Sequence, residues 1–287
     1  MMDALRFAPV LVVGDVMLDY TLELAEGEHD EKRHVAASAT AVGGTGANTA
    51  AALVLLGVPV VLAGTVGDDC AGRTCLSQLG DLGVDVSRVQ VLPGTTGRAT
   101  IVIDGERRHV YVDRGVCDSP VRDLPRTPLT YVSLPAAVDP SELHDGHVVL
   151  GIEHQMVSPS LDPLLSLAAV VVTNELGASR LQPSLTPAEV VVTRGGQGAE
   201  VRSGDRAPVE VAGSRVEVVD ATGAGDAFAA GLIAALAAGA PIAAAAAFGN
   251  RMGAVAVGQR GAMLRAIPQD VAPAFDAVLG TYGEDEL

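Results

Sequence analysis

Short apolar runs alternate with alanine-rich stretches along most of this chain. Five runs are almost continuously apolar, at residues 10–13, 58–63, 148–152, 169–173 and 190–193. Strands without a polar side are typical of a parallel sheet that is covered on both faces. Residues 47–56 and 225–238 have the alanine content of packed helices. The pattern predicts a doubly wound α/β fold, with a mostly parallel sheet flanked by helices.

Two further segments, at about residues 16–42 and 97–113, are extended and carry polar as well as apolar residues. In the second segment, Asp104 and Gly105 form the Asp-Gly pair that favours a tight hairpin turn. These segments predict a small antiparallel β lid that covers one mouth of the main sheet. We expect the lid and the main sheet to form a single unit of residues 1–287.

Charge and lysine content narrow the possible functions. A formal net charge of -16 argues against a nucleic-acid partner, because the phosphate backbone would be repelled. Lys32 is the only lysine, so the phosphate-binding loop that ends in Gly-Lys-Ser or Gly-Lys-Thr is absent from the sequence. A small-molecule reaction is therefore favoured, and any nucleotide site must use another device.

The chain shows no sign of a membrane or secretory segment. Asp3 and Asp15 flank the first apolar run, which does not fit a secretory signal. Residues 227–249 carry no charge, but Gly239 and Pro241 divide them, so we expect two core helices and no membrane partner. The three cysteines are too few for a disulfide framework. These features predict a cytoplasmic protein.

The run DATGAGDAF, at residues 220–228, is the strongest candidate for a catalytic motif. It follows an apolar segment, residues 216–219, that we predict as a strand, and it turns on Gly223 and Gly225 into a helix. Backbone N–H groups at a helix start can approach an anion. Asp226 would lie in the first turn, where it can accept a proton from a substrate hydroxyl. An acidic residue that only stabilises the helix explains the same string equally well.

A second glycine-rich run, GGTGAN at residues 43–48, also precedes a predicted helix. The amide of Asn48 can both donate and accept hydrogen bonds with the hydroxyls of a polar ligand. The alternative is a glycine-rich loop that only leads into a packed helix. Two such sites in one chain favour the ligand-binding interpretation.

Together, these two runs resemble the signatures of the ribokinase-like, or PfkB, carbohydrate kinases. Several segments between them agree with the family in order and spacing. They are GDVMLD at residues 14–19, TGRATIVID from residue 96, VVLGIE ending at residue 153, VVTNE ending at residue 175 and VVVTRGGQG ending at residue 198. The resemblance implies a ribokinase-like fold and transfer of the γ-phosphoryl group of ATP, with Mg²⁺, to a sugar hydroxyl.

The resemblance also implies roles for individual residues. The acceptor hydroxyls are held by Asp19, Gly43, Gly44, Asn48 and Glu153. The anion hole is formed by Gly223, Ala224 and Gly225, beside Asp226 as the catalytic base. The nucleotide is lined by Asn174, Thr193, Gly195, Gly198 and Asn250. Each role has a simpler alternative. Asn174 could only cap a helix, Gly195 and Gly198 could only form a tight turn, and Asp19 could be a surface carboxylate.

The sequence departs from the family pattern near the metal and phosphate site. The family usually has a Glu three residues after the Asn, but here Asn174 is followed at that distance by Gly177. Glu175 would then reach Mg²⁺ through water. Asp220 and Thr222 resemble the family's segment for a monovalent cation, so the resemblance allows a K⁺ ion without requiring one.

The sequence leaves two alternative functions undecided, together with the role of the lid arginines and the oligomeric state. Related enzymes phosphorylate nucleosides, but a chain with no Trp, four Phe and four Tyr offers few rings to stack on a base. A catalytically silent sugar-binding regulator is the other alternative. The lid arginines Arg98, Arg107 and Arg108 either meet an anionic group of the substrate or are solvated. Exposed lid strands can also pair across a homodimer.

Overall fold

The computed structural model describes residues 8–25, 33–105, 107–143, 147–153, 156–181, 189–269 and 271–282. Its β-strands are β1 Val10–Val13, β2 Met17–Leu24, β3 Val35–Gly43, β4 Val60–Gly67, β5 Asp85–Leu92, β6 Gly97–Asp104, β7 Arg107–Asp113, β8 Leu129–Val132, β9 His147–Gly151, β10 Val170–Asn174, β11 Glu189–Thr193, β12 Gly198–Ser203 and β13 Val209–Ala212. Its α-helices are α1 Thr45–Leu55, α2 Cys70–Asp81, α3 Asp162–Leu167, α4 Glu175–Ala178, α5 Ala224–Ala237, α6 Ile242–Val257 and α7 Val271–Tyr282. Helices follow the parallel strands β4, β9 and β10, as the alternation in the sequence predicts.

The larger sheet contains nine of the described strands, in the order β13-β12-β11-β10-β9-β8-β1-β4-β5. All neighbours from β11 to β5 are parallel, and β12 and β13 add antiparallel pairs at one edge. The mostly parallel sheet is thus confirmed. Each of the five continuous apolar runs contributes a strand to it, namely β1, β4, β9, β10 and β11.

Strand β1 shows why these runs have no polar side. Val10 and Val12 belong to a hydrophobic cluster with residues of α1, α5 and α6, whereas Leu11 and Val13 belong to a second cluster with residues of α3. Each of the four side chains is at most 1% exposed. Full burial of one such side chain contributes about 1.5–3 kcal/mol, so both faces of the strand stabilise the fold.

The uncharged stretch near the C-terminus forms two helices, α5 and α6, as predicted from Gly239 and Pro241. They pack closely because small residues line the contact. A Cβ atom on Gly231 would lie 2.7 Å from Cγ of Met252. Among the described residues, no helix is both long and apolar enough to cross a membrane.

The lid is a second sheet of four described strands, in the order β3-β2-β6-β7. The β2–β3 and β6–β7 pairs are antiparallel, and β2 pairs with β6 in parallel. The predicted Asp-Gly turn joins β6 to β7, with Gly105 at φ 58°. Parts of the predicted lid, residues 26–32 and 106, lie outside the described residues. Every residue of β7 is exposed, and within the described part of the chain β7 forms an open edge of the lid.

The strand predicted at residues 216–219 is wrong. Val218 is 64% exposed and Val219 is 53% exposed, and no strand in the described chain pairs with this segment. The N–H groups of Val219 and Asp220 instead donate to the carbonyl of Val257 at the end of α6, at 2.7 and 3.1 Å. The backbone beside residues 216–219 thus belongs to the end of a helix and not to a strand. This apolar run has no strand to pair with and does not extend a sheet.

Candidate active site

Most of the candidate site residues lie at one edge of the larger sheet. Parallel strands end at the same edge, so the residues at the carboxyl ends of β1, β9, β10 and β11 converge there. Asp15, Glu153, Asn174 and Thr193 occupy these positions. Helices α1 and α5 also begin at this edge, so the positive ends of both helix dipoles are directed to it.

The first turns of α1 and α5 contact each other through Asn48 and Asp226. Nδ2 of Asn48 donates to Oδ2 of Asp226 at 2.8 Å, and the Thr49 hydroxyl donates to the Asp226 backbone carbonyl at 3.5 Å. Asn48 is only 5% exposed, and its Oδ1 atom is buried without a hydrogen-bond partner among the described residues. An unused acceptor therefore lies on the same amide that holds the candidate base.

The surroundings of Asp226 suit proton transfer near neutral pH. Desolvation raises the pKa of its half-buried carboxyl to about 7, and the carboxylates of Asp15, Glu153 and Asp19 act in the same direction. The hydrogen bond from Asn48 acts in the opposite direction. A base with a pKa near the working pH combines an available deprotonated form with enough basicity to accept a proton.

The loop that leads into α1 is held against the end of β1. Gly44, at φ 94°, precedes the helix, and a Cβ atom on Gly46 would lie 2.6 Å from Cα of Gly14. Oδ1 of Asp15 accepts from the Gly46 N–H at 3.2 Å, and its Oδ2 pairs with Arg114 at 3.2 Å. Asp15 therefore fixes the start of the helix that carries Asn48.

The predicted anion hole is the start of α5. Gly223 adopts a left-handed conformation, with φ at 75°, and a Cβ atom there would lie 1.9 Å from the carbonyl oxygen of Ala262. Only glycine fits both requirements. The helix begins at Ala224, and Gly225 is exposed at its first turn. First-turn N–H groups have no partner within the helix and can donate to an anion. That of Ala224 makes a long bond of 3.4 Å to the Ala221 carbonyl, which an anion would have to replace.

Asp19 reaches the site from the lid strand β2. A Cβ atom on Gly43 would lie 2.3 Å from Oδ2 of Asp19, so the missing side chain leaves room for the carboxyl. Burial and the nearby Asp15 raise the pKa of Asp19 to about 6, while Arg108 acts to lower it. The surface-carboxylate alternative thus does not describe its surroundings.

The strand register defines the lid face that carries Asp19. Residues directly opposite each other on paired strands share a face of the sheet. Asp19 is opposite Ala99, which is opposite Val112, and the next row contains Ile101 and Val110. We call this the inner lid face. It presents the Asp19 carboxyl among aliphatic side chains. Glu23 and Arg108 follow in the next row of the same face.

One of the three lid arginines reaches the DATGAGDAF run. Nη1 of Arg108 donates to the hydroxyl of Thr222 and lies 4.0 Å from Oδ1 of Asp220. Arg98 instead pairs with Asp69 at 3.1 Å. Arg107 is exposed, and as the strand neighbour of Arg108 it points to the opposite face. The structure therefore shows that the three arginines have different contacts, which the sequence could not reveal.

The residues predicted to line the nucleotide lie together at the β10–β13 end of the edge. Asn174 is opposite Thr193, whose hydroxyl donates to the Thr173 carbonyl at 3.3 Å. Gly198 is opposite Ala212, and Nδ2 of Asn250 donates to the Ala212 carbonyl at 3.2 Å. Gly195 begins the turn that joins β11 to β12, with φ at 54°.

Asn174 also caps α4, which is the simpler alternative that the sequence left open. Its Oδ1 accepts from the Gly177 N–H at 2.8 Å. A Cβ atom on Gly177 would lie 2.0 Å from Oγ1 of Thr173, which is buried without a partner in the described chain. The Thr173 hydroxyl thus occupies the space beside Gly177 into which a side chain would extend.

Sequence reasoning missed Arg194, which connects the candidate metal ligand to the sheet. Nε of Arg194 lies 3.5 Å from the Glu175 carboxylate, and its Nη1 lies 2.8 Å from Glu210. Its Nη2 pairs with Glu200. The only signal was its place between Thr193 and Gly195, which does not reveal partners on β12 and β13.

Comparison with known proteins identifies the family to which the chain is related. The model of the pfkB family of carbohydrate kinases matches residues 8–122 and 164–270, which include both glycine-rich runs. The ribokinase of Bacillus subtilis is 32% identical over 248 residues, which cover 78% of this chain and 83% of that protein.

Two solved structures share the fold at lower sequence identity. The ribokinase of Arabidopsis thaliana, complexed with ribose and ATP, has a TM-score of 0.81 and 20% identity, over 94% of this chain and 98% of that one. The nucleoside kinase of Burkholderia thailandensis, in complex with inosine, has a TM-score of 0.75 and 22% identity, with the same coverage of 94% and 98%. With most of its length matched by the family model, the chain belongs to the pfkB family of carbohydrate kinases and has the ribokinase-like fold.

Proposed function

We propose that this kinase transfers the γ-phosphoryl group of ATP to a hydroxyl of a sugar or sugar derivative, with Asp226 as the catalytic base. The contact between Asn48 and Asp226 carries the proposal. It combines a carboxyl that titrates near pH 7, an amide oxygen without a partner and a helix start that can bind an anion.

In the proposed reaction, the acceptor hydroxyl gives its proton to the Asp226 carboxylate while its oxygen attacks the γ-phosphorus. The bond between the γ-phosphorus and the β–γ bridging oxygen breaks, and ADP leaves with that oxygen. The N–H groups of Gly223, Ala224 and Gly225 stabilise the negative charge on the transferring group. Asp226 then releases its proton to solvent.

Two groups of residues hold the reactants in this proposal. The acceptor hydroxyls are bound by Asp19, Gly43, Gly44, Asn48 and Glu153. The nucleotide is bound by Asn174, Thr193, Gly195, Gly198 and Asn250. The predicted cytoplasmic location would give the enzyme direct access to ATP.

One acidic residue in the proposed nucleotide region, Glu175, fits a metal that would arrive with the nucleotide. The Glu175 side chain is 70% exposed, so its carboxylate can bind Mg²⁺ through water. When bound, Mg²⁺ neutralises charge on the phosphates. The positions of Asp226 and of the side chains proposed to bind the acceptor do not depend on Mg²⁺.

Replacement of Asp226 by Asn tests the assignment. Asp226→Asn keeps an oxygen that can accept from Asn48, so the protein should fold and bind ligands. Turnover should fall by a factor on the order of a hundred or more, because base catalysis is lost. Steady-state turnover and calorimetric ligand binding measure the two effects.

Asp162→Asn is the matched control, because Asp162 is also an acidic residue in a first helical turn. It removes the same charge from α3 and should leave turnover unchanged. Near-normal turnover in Asp226→Asn would reject the assignment of the base.

The inner lid face favours a sugar over a nucleoside as acceptor. Ala99, Ile101, Val110 and Val112 line it, and these aliphatic side chains cannot stack on a base as an aromatic ring does. Turnover measured against a panel of sugars and nucleosides distinguishes the two. Sugar binding without turnover under any condition would instead support the catalytically silent regulator.

We also propose that two copies pair through the open edge of the lid. Edge strands present unpaired N–H and C=O groups, and β7 is such a strand. On the outer lid face, Tyr20 and Tyr111 lie in one row of the register and are 42% and 62% exposed. Tyr111 is on the edge strand itself and Tyr20 lies two strands away, with Thr100 between them. Exposed aromatic side chains at and near an open edge are typical of an interface.

A further inference from the structure

The carboxylate of Asp220 is surrounded by hydrogen-bond donors. Its Oδ1 accepts from the Thr222 N–H at 2.9 Å and from the Thr222 hydroxyl at 2.6 Å. Its Oδ2 accepts from the Gly261 N–H at 3.0 Å. Both oxygens are therefore engaged by the protein itself, and the groups that contact them are N–H and O–H donors.

A positive charge completes this group of contacts. Nη1 of Arg108 donates to the Thr222 hydroxyl, which in turn donates to Asp220, and lies 4.0 Å from Oδ1. The guanidinium, the hydroxyl and the carboxylate thus form a continuous chain. Arg108 comes from the lid, whereas Asp220 and Thr222 immediately precede the anion hole at Gly223.

This arrangement does not fit a monovalent cation at Asp220 and Thr222, the position that the family resemblance allowed. Hard cations are held by oxygen atoms with free lone pairs, whereas three hydrogen bonds already occupy most of the acceptor sites of this carboxylate, two at Oδ1 and one at Oδ2. A guanidinium 4.0 Å from Oδ1 also repels a second cation at that oxygen. The carboxylate is neutralised without an ion.

We propose that Arg108 takes the place of a monovalent cation at Asp220, so that phosphoryl transfer by this enzyme does not require K⁺. Arg108 is a positioning residue in this proposal. It acts through Thr222 and Asp220 on the loop that holds the Gly223 N–H group. Because the charge comes from the lid, the same contacts also hold the lid strand β7 against this loop.

The first experiment measures turnover in KCl and in tetramethylammonium chloride at the same ionic strength. The wild-type enzyme should be equally active in both salts. Arg108→Gln should lose about tenfold in turnover in tetramethylammonium chloride, and K⁺ should restore most of that loss. Arg107→Gln removes the same charge from the opposite face of β7 and should behave like the wild type.

Two results of this experiment overturn the proposal. One is a wild-type enzyme that needs K⁺ for activity. The other is a loss in Arg108→Gln that K⁺ does not relieve, which would make Arg108 a phosphate-binding residue instead.

A second measurement does not depend on the kinase function, on which the first one rests. The unfolding temperature of the protein without ligands is compared in the same two salts. The wild type should show no increase that is specific to K⁺, and Arg108→Gln should show one, because binding to the folded state raises stability. A K⁺-specific increase in the wild type, or none in Arg108→Gln, contradicts the proposal.

Discussion

The Asp226 carboxyl illustrates how neighbours that are distant in the sequence set the chemical properties of a single residue. In the sequence, a catalytic base and a helix-stabilising carboxylate were equally good explanations. The structure adds the hydrogen bond from Asn48 and the burial that raises its pKa to about 7. These are contacts between distant segments, so no local pattern contained them.

The raised pKa of Asp226 predicts how activity depends on pH. A base works only when it is deprotonated, so kcat/KM should fall about tenfold per pH unit below pH 7. The Asn48 hydrogen bond favours the charged form. Asn48→Ala should therefore move this acid limb to higher pH by about one unit, the effect of one hydrogen bond to a charged group. The pH profile of kcat/KM measures the shift.

Thr49→Val is the control for that profile, because Thr49 contacts the backbone carbonyl of Asp226 and not its carboxyl. Its acid limb should stay near that of the wild type. An unchanged limb in Asn48→Ala would show that Asn48 does not tune the base.

Other candidate residues could not be recognised from the sequence, because their contacts join distant segments. Arg98, Arg107 and Arg108 are alike in the sequence, and only the contact with Thr222 distinguishes Arg108. Asp15 was part of the matching GDVMLD segment, but its bonds to Gly46 and Arg114 join parts of the chain that are far apart.

At the scale of elements, the start of α4 explains the departure from the family pattern. Gly177 has no space for a side chain, because the Thr173 hydroxyl lies where Cβ would extend. Gly177→Ala should reduce the free energy of unfolding by about 1–3 kcal/mol, the usual cost of overpacking. Urea denaturation measures this change.

The double variant Thr173→Ala/Gly177→Ala tests the stated cause. Removal of the hydroxyl frees the space, so the double variant should recover much of the stability that Gly177→Ala loses. If both variants are equally unstable, the clash with Thr173 is not the reason. A Glu introduced at position 177 meets the same hydroxyl and should not restore the family's carboxylate by itself.

Elements were predictable where they are buried on both sides. The runs that became β1, β9, β10 and β11 have no polar face because two layers of helices cover them. Strands β5 and β13 have exposed residues and lie at the sheet edges, so their sequences lack this signal. Segment 216–219 shows the reverse case. It has the composition of a strand, so it was predicted as one, but it pairs with no strand in the described chain.

At the scale of the whole molecule, charge and the lid edge act against each other. Each copy carries a formal net charge of -16, so two copies repel at low salt. The screening length falls from about 30 Å at 0.01 M salt to about 8 Å at 0.15 M. Dimerisation through the lid should therefore become stronger as salt increases, which sedimentation velocity measures.

Tyr111→Lys should weaken this dimer at both salt concentrations, because it places a charge in the proposed interface. Leu82→Lys, at an exposed apolar residue next to α2, adds the same charge elsewhere and should leave the dimer intact. A wild-type protein that stays monomeric at high salt would reject pairing through the lid.

The hydrogen bond between Asn48 and Asp226 spans 178 residues of sequence. Contacts between such distant residues cost the most loop-closure entropy, so they form late in folding. A chain still being synthesised cannot form this pair until α5 has emerged, although β1, the lid strands and α1 are already available. The order of the elements thus delays assembly of the proposed catalytic pair until all the described strands and α5 have been made, and no shorter chain can hold the proposed base beside its amide.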